Sequence, residues 1–94
     1  MAEFRFEWDA AKASRNVETH AVSFEEASSV FRNSLAKVFP DPVHSQDEDR
    51  GIMIGHSDRG RLLVVVFTDR RSRIRIISAR IATRRECREY EDHA

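Results

Sequence analysis

An apolar run from Leu62 to Thr68 constrains the fold of this chain more than any other feature. Its length is that of a strand, and a run without polar alternation is typical of a central strand covered on both faces. Two further strands are predicted beside it, from Gly51 to His56 and from Arg73 to Arg80. The connections between them are short, and one contains the turn signal Asp58-Arg59-Gly60. The three strands should therefore form an antiparallel meander.

The rest of the chain adds helices and short strands to this meander. Phe4, Phe6 and Trp8 alternate with charged residues, as in a half-buried strand. Asp9 is a candidate N-cap for a helix from Ala10 to about His20. Two further helices are opened by capping boxes: one by Ser23 and Glu26, and the other, from Arg84 to Asp92, by Thr83 and Glu86. A strand is predicted from Ala36 to Phe39, where Pro40-Asp41-Pro42 breaks it. The remaining segments are a loop from Val43 to Asp49 and a turn from Asp69 to Ser72.

This element order predicts a single α+β domain over residues 1–94. We expect a small antiparallel β-sheet with two N-terminal helices packed on one face and a C-terminal helix, which leaves the opposite face free to carry arginines. Alternation fails at Ile76-Ile77, where two large apolar residues are adjacent. Either both faces are partly covered there, or a β-bulge re-aims the residues that follow. The sequence leaves open which face Arg80 occupies.

Arginines are concentrated in one segment of a chain that has no net charge. The stretch from Arg70 to Tyr90 contains eight of them, whereas the whole chain balances 16 basic against 16 acidic residues. Arginine binds phosphate oxygens in a planar fork, so such a cluster on a small sheet indicates a phosphate-binding surface. The alternative is a solubilising surface that pairs with nearby acids, but the arginines outnumber those acids.

A second group of candidates lies on the first predicted helix. Lys12, Asn16 and His20 are spaced four residues apart and share one stripe. They could form a polar wall for an anionic substrate, or simply a solvated flank with a histidine at the helix end. His20 is the best candidate for proton transfer because imidazole titrates near neutral pH. Tyr90 could stack on a base or bond a phosphate.

Several classes of protein are disfavoured by the sequence. No apolar run reaches the roughly 20 residues of a membrane helix. The single cysteine, Cys87, excludes an internal disulfide framework and suits a reducing cytoplasm. No histidine pair has zinc-ligand spacing, and the glycines match no nucleotide-binding fingerprint. We therefore expect a cytoplasmic protein that needs no metal or other cofactor.

Taken together, the motifs of this chain resemble those of the BrnT toxins, from Phe4 to Tyr90. The block from Arg75 to Glu86 is the most specific, and the blocks follow the family's linear order. The matching segments are Phe6–Lys12, Val22–Ala27, Phe39–Pro42, Arg61–Val66 and Arg75–Glu86, together with Asn16, His20, Glu48, Arg50 and Tyr90.

The resemblance implies a ribonuclease toxin of a bacterial type II toxin–antitoxin system. The fold would be like that of RelE-type toxins. The partner would be a BrnA-like antitoxin with a ribbon-helix-helix part, and operator DNA would be bound only through the antitoxin complex. One departure stands out: the family typically has a basic residue, His and Gly where this chain has Thr19-His20-Ala21. The change removes a charge and a glycine suited to a left-handed helix end, which could weaken the toxin.

Two functions are compatible with these residues. The first is a metal-independent endoribonuclease that cleaves RNA and inhibits translation and growth. The second is a weakened or inactive module that binds RNA or antitoxin as a co-repressor subunit. A plain scaffold domain is the third and least specific hypothesis. In the endoribonuclease hypothesis, Arg80 and Arg84 would bind the phosphate and Lys12 would add positive charge. His20 would act as acid or base, Tyr90 would position the RNA, and Glu48 would be an outside candidate for the base. The residues that would bind the rest of the RNA are Arg50, Arg61, Arg73, Arg75 and Arg85.

Overall fold

The computed structural model describes residues 4–41 and 50–92 as an α+β fold built on one five-stranded sheet. Glu48, His44 and the predicted loop from Val43 to Asp49 lie outside the described residues. The elements are β1 (Phe6–Glu7), α1 (Ala10–His20), α2 (Phe24–Ser29), a 3-10 turn (Val30–Arg32), β2 (Lys37–Pro40), β3 (Arg50–His56), β4 (Leu62–Arg70), β5 (Arg73–Ile81) and α3 (Arg84–Asp92).

Side-chain caps start the helices where the sequence predicts them. Asp9 accepts a hydrogen bond from the backbone N–H of Lys12 at 2.9 Å, and Ser23 accepts one from Glu26 at 3.0 Å. The first helix ends at Ala21, which has a left-handed backbone with φ of 57°. This is the conformation that glycine adopts most easily, so glycine would suit the position better than alanine.

The sheet is mixed, and this corrects the prediction of an antiparallel sheet. Its strand order is β1-β5-β4-β3-β2, with β2 to β5 antiparallel as expected. The edge strand β1 instead pairs in parallel with β5, with Phe6 opposite Ile74. A two-residue edge strand carries no turn signal that could reveal its direction. The hairpin strands are longer than predicted, so the turn between β4 and β5 shortens to residues 71–72.

A β-bulge in β5 decides which side chains face the helices. Val66 is opposite Ser78 while the next residue, Phe67, is opposite Ile76, so Ile77 is the extra residue. The structure shows the bulge, and Ile77 on the opposite face is also half-buried. Simple alternation from Ile76 would turn Arg80 toward the core. The bulge instead places Ala79 in the core and Arg80 on the opposite face.

The main core lies between one face of the sheet and the helices α1 and α2. Phe24 and Val30 are fully buried there against Leu63, Val65 and Ile76. The central strand is also covered on its other face, where Val64 is only 5% exposed. The prediction that the opposite face is open is wrong, because α3 lies across part of it. The predicted α+β class is confirmed, whereas the likeness to RelE-type toxins stays a prediction.

Candidate functional site

A cleft of about 360 Å³ lies on the sheet face opposite α1 and α2. Its floor is apolar and comes from Ile52, Ile54 and Val64 on the two central strands. One wall is the edge strand β2 and the other is α3. The remaining lining residues are Phe39, Pro40, Arg80, Glu86, Glu89 and Tyr90.

A bidentate ion pair fixes Arg80 at the wall of this cleft. Its Nη1 and Nη2 donate to the two carboxylate oxygens of Glu86 at 2.7 and 2.8 Å. Glu86 also accepts from the backbone N–H of Thr83 at 2.8 Å, while its own N–H donates to Thr83 Oγ1 at 3.2 Å. This reciprocal capping box ties α3 to the end of β5.

The contact between Arg80 and Glu86 also favours the charged form of both groups at the wall of the cleft. Hydrogen bonds from the Arg80 guanidinium lower the pKa of Glu86 from 4.5 to about 2, and the carboxylate raises the pKa of Arg80. Both groups are therefore charged at neutral pH. The Arg80 side chain remains 40% exposed, so part of the guanidinium still faces solvent. The sequence predicted Glu86 as a capping residue and as one of the acids that could pair with nearby arginines, and Arg80 is the arginine it pairs with.

Tyr90 marks the opposite end of the cleft. Its hydroxyl donates to the backbone carbonyl of Leu35 at 2.9 Å, which fastens the last turn of α3 to the segment before β2. The ring of His56 packs edge-on against it with centroids 5.7 Å apart. The ammonium of Lys37 lies 5.5 Å from the centroid of the Tyr90 ring.

Sequence reasoning did not single out His56 and Lys37, which contact the cleft residue Tyr90. Period-two alternation with Ile52 and Ile54 already put His56 on the face of those isoleucines, so a signal for it existed. Lys37 could not be found this way, because its place depends on the register between β2 and β3.

The predicted stripe on α1 does not form one wall. Asn16 is buried, and its amide donates to the carbonyls of Val22 at 2.9 Å and Ala79 at 2.8 Å, and accepts from the Ala79 N–H at 3.2 Å. The Asn16 amide thereby satisfies the backbone N–H and C=O of Ala79 on β5, beyond the point where β1 ends. Lys12 and His20 are exposed on the helix and do not line the cleft.

Three of the predicted RNA-binding arginines are held in ion pairs with Glu26 or Glu7. Arg61 donates to the buried carboxylate of Glu26, from Nε at 2.9 Å and also from Nη2, and to the carbonyl of Ala21 at 3.0 Å. This contact lowers the pKa of Glu26. Arg73 and Arg75 both approach Glu7 on β1, at 3.5 and 3.3 Å.

The remaining predicted arginines do not line the cleft. Arg84 and Arg85 are exposed in the first turn of α3, and Arg85 pairs with Glu89 at 3.3 Å. Arg50 begins β3 and is half-buried. Among the described residues, no group of histidine, cysteine and acidic side chains is arranged to hold a metal ion. No helix in the described ranges is long and apolar enough to cross a bilayer.

Comparisons with known proteins agree with the resemblance seen in the motifs. Residues 8–86 match the model of the family described as the ribonuclease toxin BrnT of type II toxin–antitoxin systems. No curated protein matches the chain. Among solved structures, the chain is similar to the crystal structure of the Brucella abortus ribonuclease toxin BrnT, with a TM-score of 0.68 and 26% identity over 87% of this chain and 100% of that one. Since the family match spans most of the sequence and includes Arg80 and Glu86, the chain belongs to the BrnT family of ribonuclease toxins of type II toxin–antitoxin systems.

Proposed function

We propose that this chain is a metal-independent endoribonuclease that cleaves RNA in the cytoplasm and thereby inhibits translation and growth. One observation carries the proposal: the guanidinium of Arg80 is oriented by Glu86 at the wall of a cleft with an apolar floor. An oriented cation beside an apolar surface suits a phosphodiester flanked by sugars and bases. Family membership supplies the ribonuclease class, and the cleft supplies a place for the reaction.

The proposed reaction needs no group beyond the side chains of the chain and the RNA itself. The 2′-oxygen attacks the adjacent phosphorus, the bond from phosphorus to the 5′-oxygen breaks, and a 2′,3′-cyclic phosphate and a 5′-hydroxyl remain. One proton leaves the 2′-hydroxyl and one reaches the departing 5′-oxygen. Arg80 would stabilise the negative charge that builds up on the phosphorus oxygens. Removing such a group typically costs on the order of 100- to 1000-fold in rate.

His56 is our first candidate for the proton transfer. It lies on the face of the sheet that carries the cleft, against Tyr90, and an imidazole can both accept and donate a proton. Strand spacings place its Cα about 12 Å from that of Arg80, so both side chains could contact one bound nucleotide. His20 is the second candidate, and its exposed place on α1 is the reason for the lower rank. Glu48 remains an outside candidate for the base.

The exposed arginines of α3 would guide the RNA to the cleft. Arg84 and Arg85 lie between Arg80 and Glu86 in the sequence, and both side chains are exposed. Arg50, at the start of β3, would also contact the RNA. Lys12, Arg61, Arg73 and Arg75 rank lower, because the first lies away from the cleft and the others are held by Glu26 or Glu7.

We further propose that a BrnA-like antitoxin with a ribbon-helix-helix part neutralises the toxin, and that operator DNA is bound only through that complex. Membership of a type II system implies an antitoxin, and the resemblance to BrnT toxins suggests that this antitoxin is of the ribbon-helix-helix class. A weakened nuclease that serves as a co-repressor subunit is the second candidate function. The observation that favours it is the charge of the cleft, where Glu86 and Glu89 face one arginine.

Turnover separates the two functions. The purified, folded chain, freed of antitoxin, is incubated with naked single-stranded RNA in EDTA, and the product ends are analysed. The nuclease proposal expects cleavage to 2′,3′-cyclic phosphate ends, with a larger loss in His56→Ala than in His20→Ala. RNA binding without cleavage, also on translating ribosomes, would favour the co-repressor function.

A further inference from the structure

Four residues form a continuous row across the sheet on the face of the cleft. Lys37 on β2 is opposite Ile54, Ile54 is opposite Val64, and Val64 is opposite Arg80 on β5. Cross-strand partners share a face, so the row begins and ends with a cation and has two apolar residues between. Three strand spacings separate the Cα atoms of Lys37 and Arg80 by about 14 Å.

The ammonium of Lys37 is unusual for a residue on an edge strand. Its Nζ is inaccessible to solvent, and no described residue accepts a hydrogen bond from it. Lysine side chains normally carry the charge out into water, and a buried charge without hydrogen bonds is unfavourable. Its neighbour is instead the face of the Tyr90 ring, 5.5 Å from the ring centroid, which compensates only part of that cost.

The ring that holds this ammonium is itself fixed in place. Tyr90 is anchored through its hydroxyl to Leu35 and packs against His56. Tyr90 also lines the cleft, so Lys37 lies directly behind a cleft residue. A small rotation of the flexible lysine stem would bring three unused hydrogen-bond donors to the cleft.

We propose that Lys37 binds a second phosphate of the RNA strand, next to the phosphate held by Arg80. This inference rests on the proposed nuclease function and names how that site would hold its substrate. The RNA strand would run across the sheet along the row, with sugar and base on Ile54 and Val64. Lys37 thereby takes the role of second cation that the sequence suggested for Lys12. A phosphate contact carries no base preference, so it should strengthen binding to all sequences equally.

The test measures binding of a short single-stranded RNA with 2′-O-methyl sugars, which blocks cleavage. Lys37→Met removes the charge and keeps the length of the side chain. Arg15→Met removes an exposed charge from α1 and is the matched control. Lys37→Arg restores the charge.

Lys37→Met should weaken binding to every RNA sequence and lower the slope of log affinity against log salt by about 0.7, the share of one phosphate on a single strand. Arg15→Met should leave that slope unchanged, and Lys37→Arg should restore it. In cleavage of unmodified RNA, Lys37→Met should raise KM more than it lowers kcat. Its Tm should equal or exceed that of the parent, because a buried charge without hydrogen bonds has been removed. Lys37→Gln gives the same comparison if the methionine variant does not fold.

The possible failures are distinguishable. An unchanged slope and KM in Lys37→Met, with cleavage by the parent chain intact, would overturn this inference and leave the nuclease function standing. Lost binding that Lys37→Arg does not restore, together with a lower Tm, would assign Lys37 a structural role and also overturn it. A folded parent chain that neither binds nor cleaves RNA would overturn the proposed function, and the inference with it.

Discussion

Replacing Glu86 by glutamine should destabilise the protein by removing one charge from the cleft wall. Glutamine can still accept the hydrogen bond from the Thr83 N–H, because both residue types serve in capping boxes. The helix cap is thus kept while the ion pair with Arg80 is lost. Glu86→Gln therefore isolates the electrostatic part of the contact that fastens α3 to β5.

The pKa of Glu86 gives the upper limit of the effect. Its value falls from 4.5 to about 2, which corresponds to roughly 3 kcal/mol. The side chains of Arg80 and Glu86 are 40% and 25% exposed, so solvent screens part of this interaction. We expect Glu86→Gln to lower the free energy of unfolding by about 1–2 kcal/mol at pH 7.

The sign of the pH dependence follows from the direction of the shift. The folded state lowers the pKa of Glu86, so its contribution is complete above the unfolded value near 4.5 and disappears as pH falls through about 2. The difference between parent and Glu86→Gln should therefore shrink by about half at pH 3.

Urea denaturation at a series of pH values measures this difference. Glu89→Gln is the matched control, since Glu89 lies on the same helix, is 61% exposed and makes only a 3.3 Å contact with Arg85. It should change stability by less than about 0.5 kcal/mol. Equal stability of parent and Glu86→Gln at pH 7, or a difference that stays constant down to pH 3, would refute the electrostatic explanation.

Three further predictions concern single positions. Asn16→Ala should lower the free energy of unfolding by about 2–4 kcal/mol in urea denaturation, because it leaves backbone groups of Val22 and Ala79 unsatisfied in the interior; an effect below about 1 kcal/mol would contradict this role. Ala21→Gly should raise stability by about 1 kcal/mol, seen as a higher Tm, since it relieves the left-handed backbone with φ of 57°; a lower Tm would show that the strain is absent. Single-turnover assays of His56→Ala should show a larger rate loss than those of His20→Ala, and the reverse order would move the proton transfer to α1.

Local signals in the sequence were enough to predict most elements of the fold. Asp9 and Ser23 start their helices through contacts three residues away, so the caps could be recognised from spacing alone. The strands of the meander are strongly apolar and joined by short turns, which fixed their antiparallel order. These features depend on neighbours in the chain.

Contacts between distant residues could not be predicted. Asn16 looked like part of an exposed stripe, yet it bonds to Ala79, which is 63 residues away. The parallel pairing of β1 with β5 likewise joins segments far apart in sequence. Burial of a polar residue is decided by what packs against it, and a single sequence does not show that.

The candidate site was found only in part, and β-sheet register explains the gap. The sequence singled out Arg80, which lines the cleft, but its face depended on whether Ile77 forms a bulge. Lys37 and Arg80 belong to one row only because three strand pairs are aligned in one register. A slip of one residue in any pair would separate them.

The rate of RNA cleavage by Arg80→Ala tests the central claim most directly. The assay uses antitoxin-free protein, naked single-stranded RNA and EDTA under single-turnover conditions, with circular dichroism to establish that the variant is folded and Arg15→Ala as the control. The account predicts cleavage by the parent chain, a similar rate for Arg15→Ala, and a rate lower by about 100- to 1000-fold for Arg80→Ala. Cleavage by a folded Arg80→Ala variant at the parent rate would contradict it and place the reaction outside the cleft.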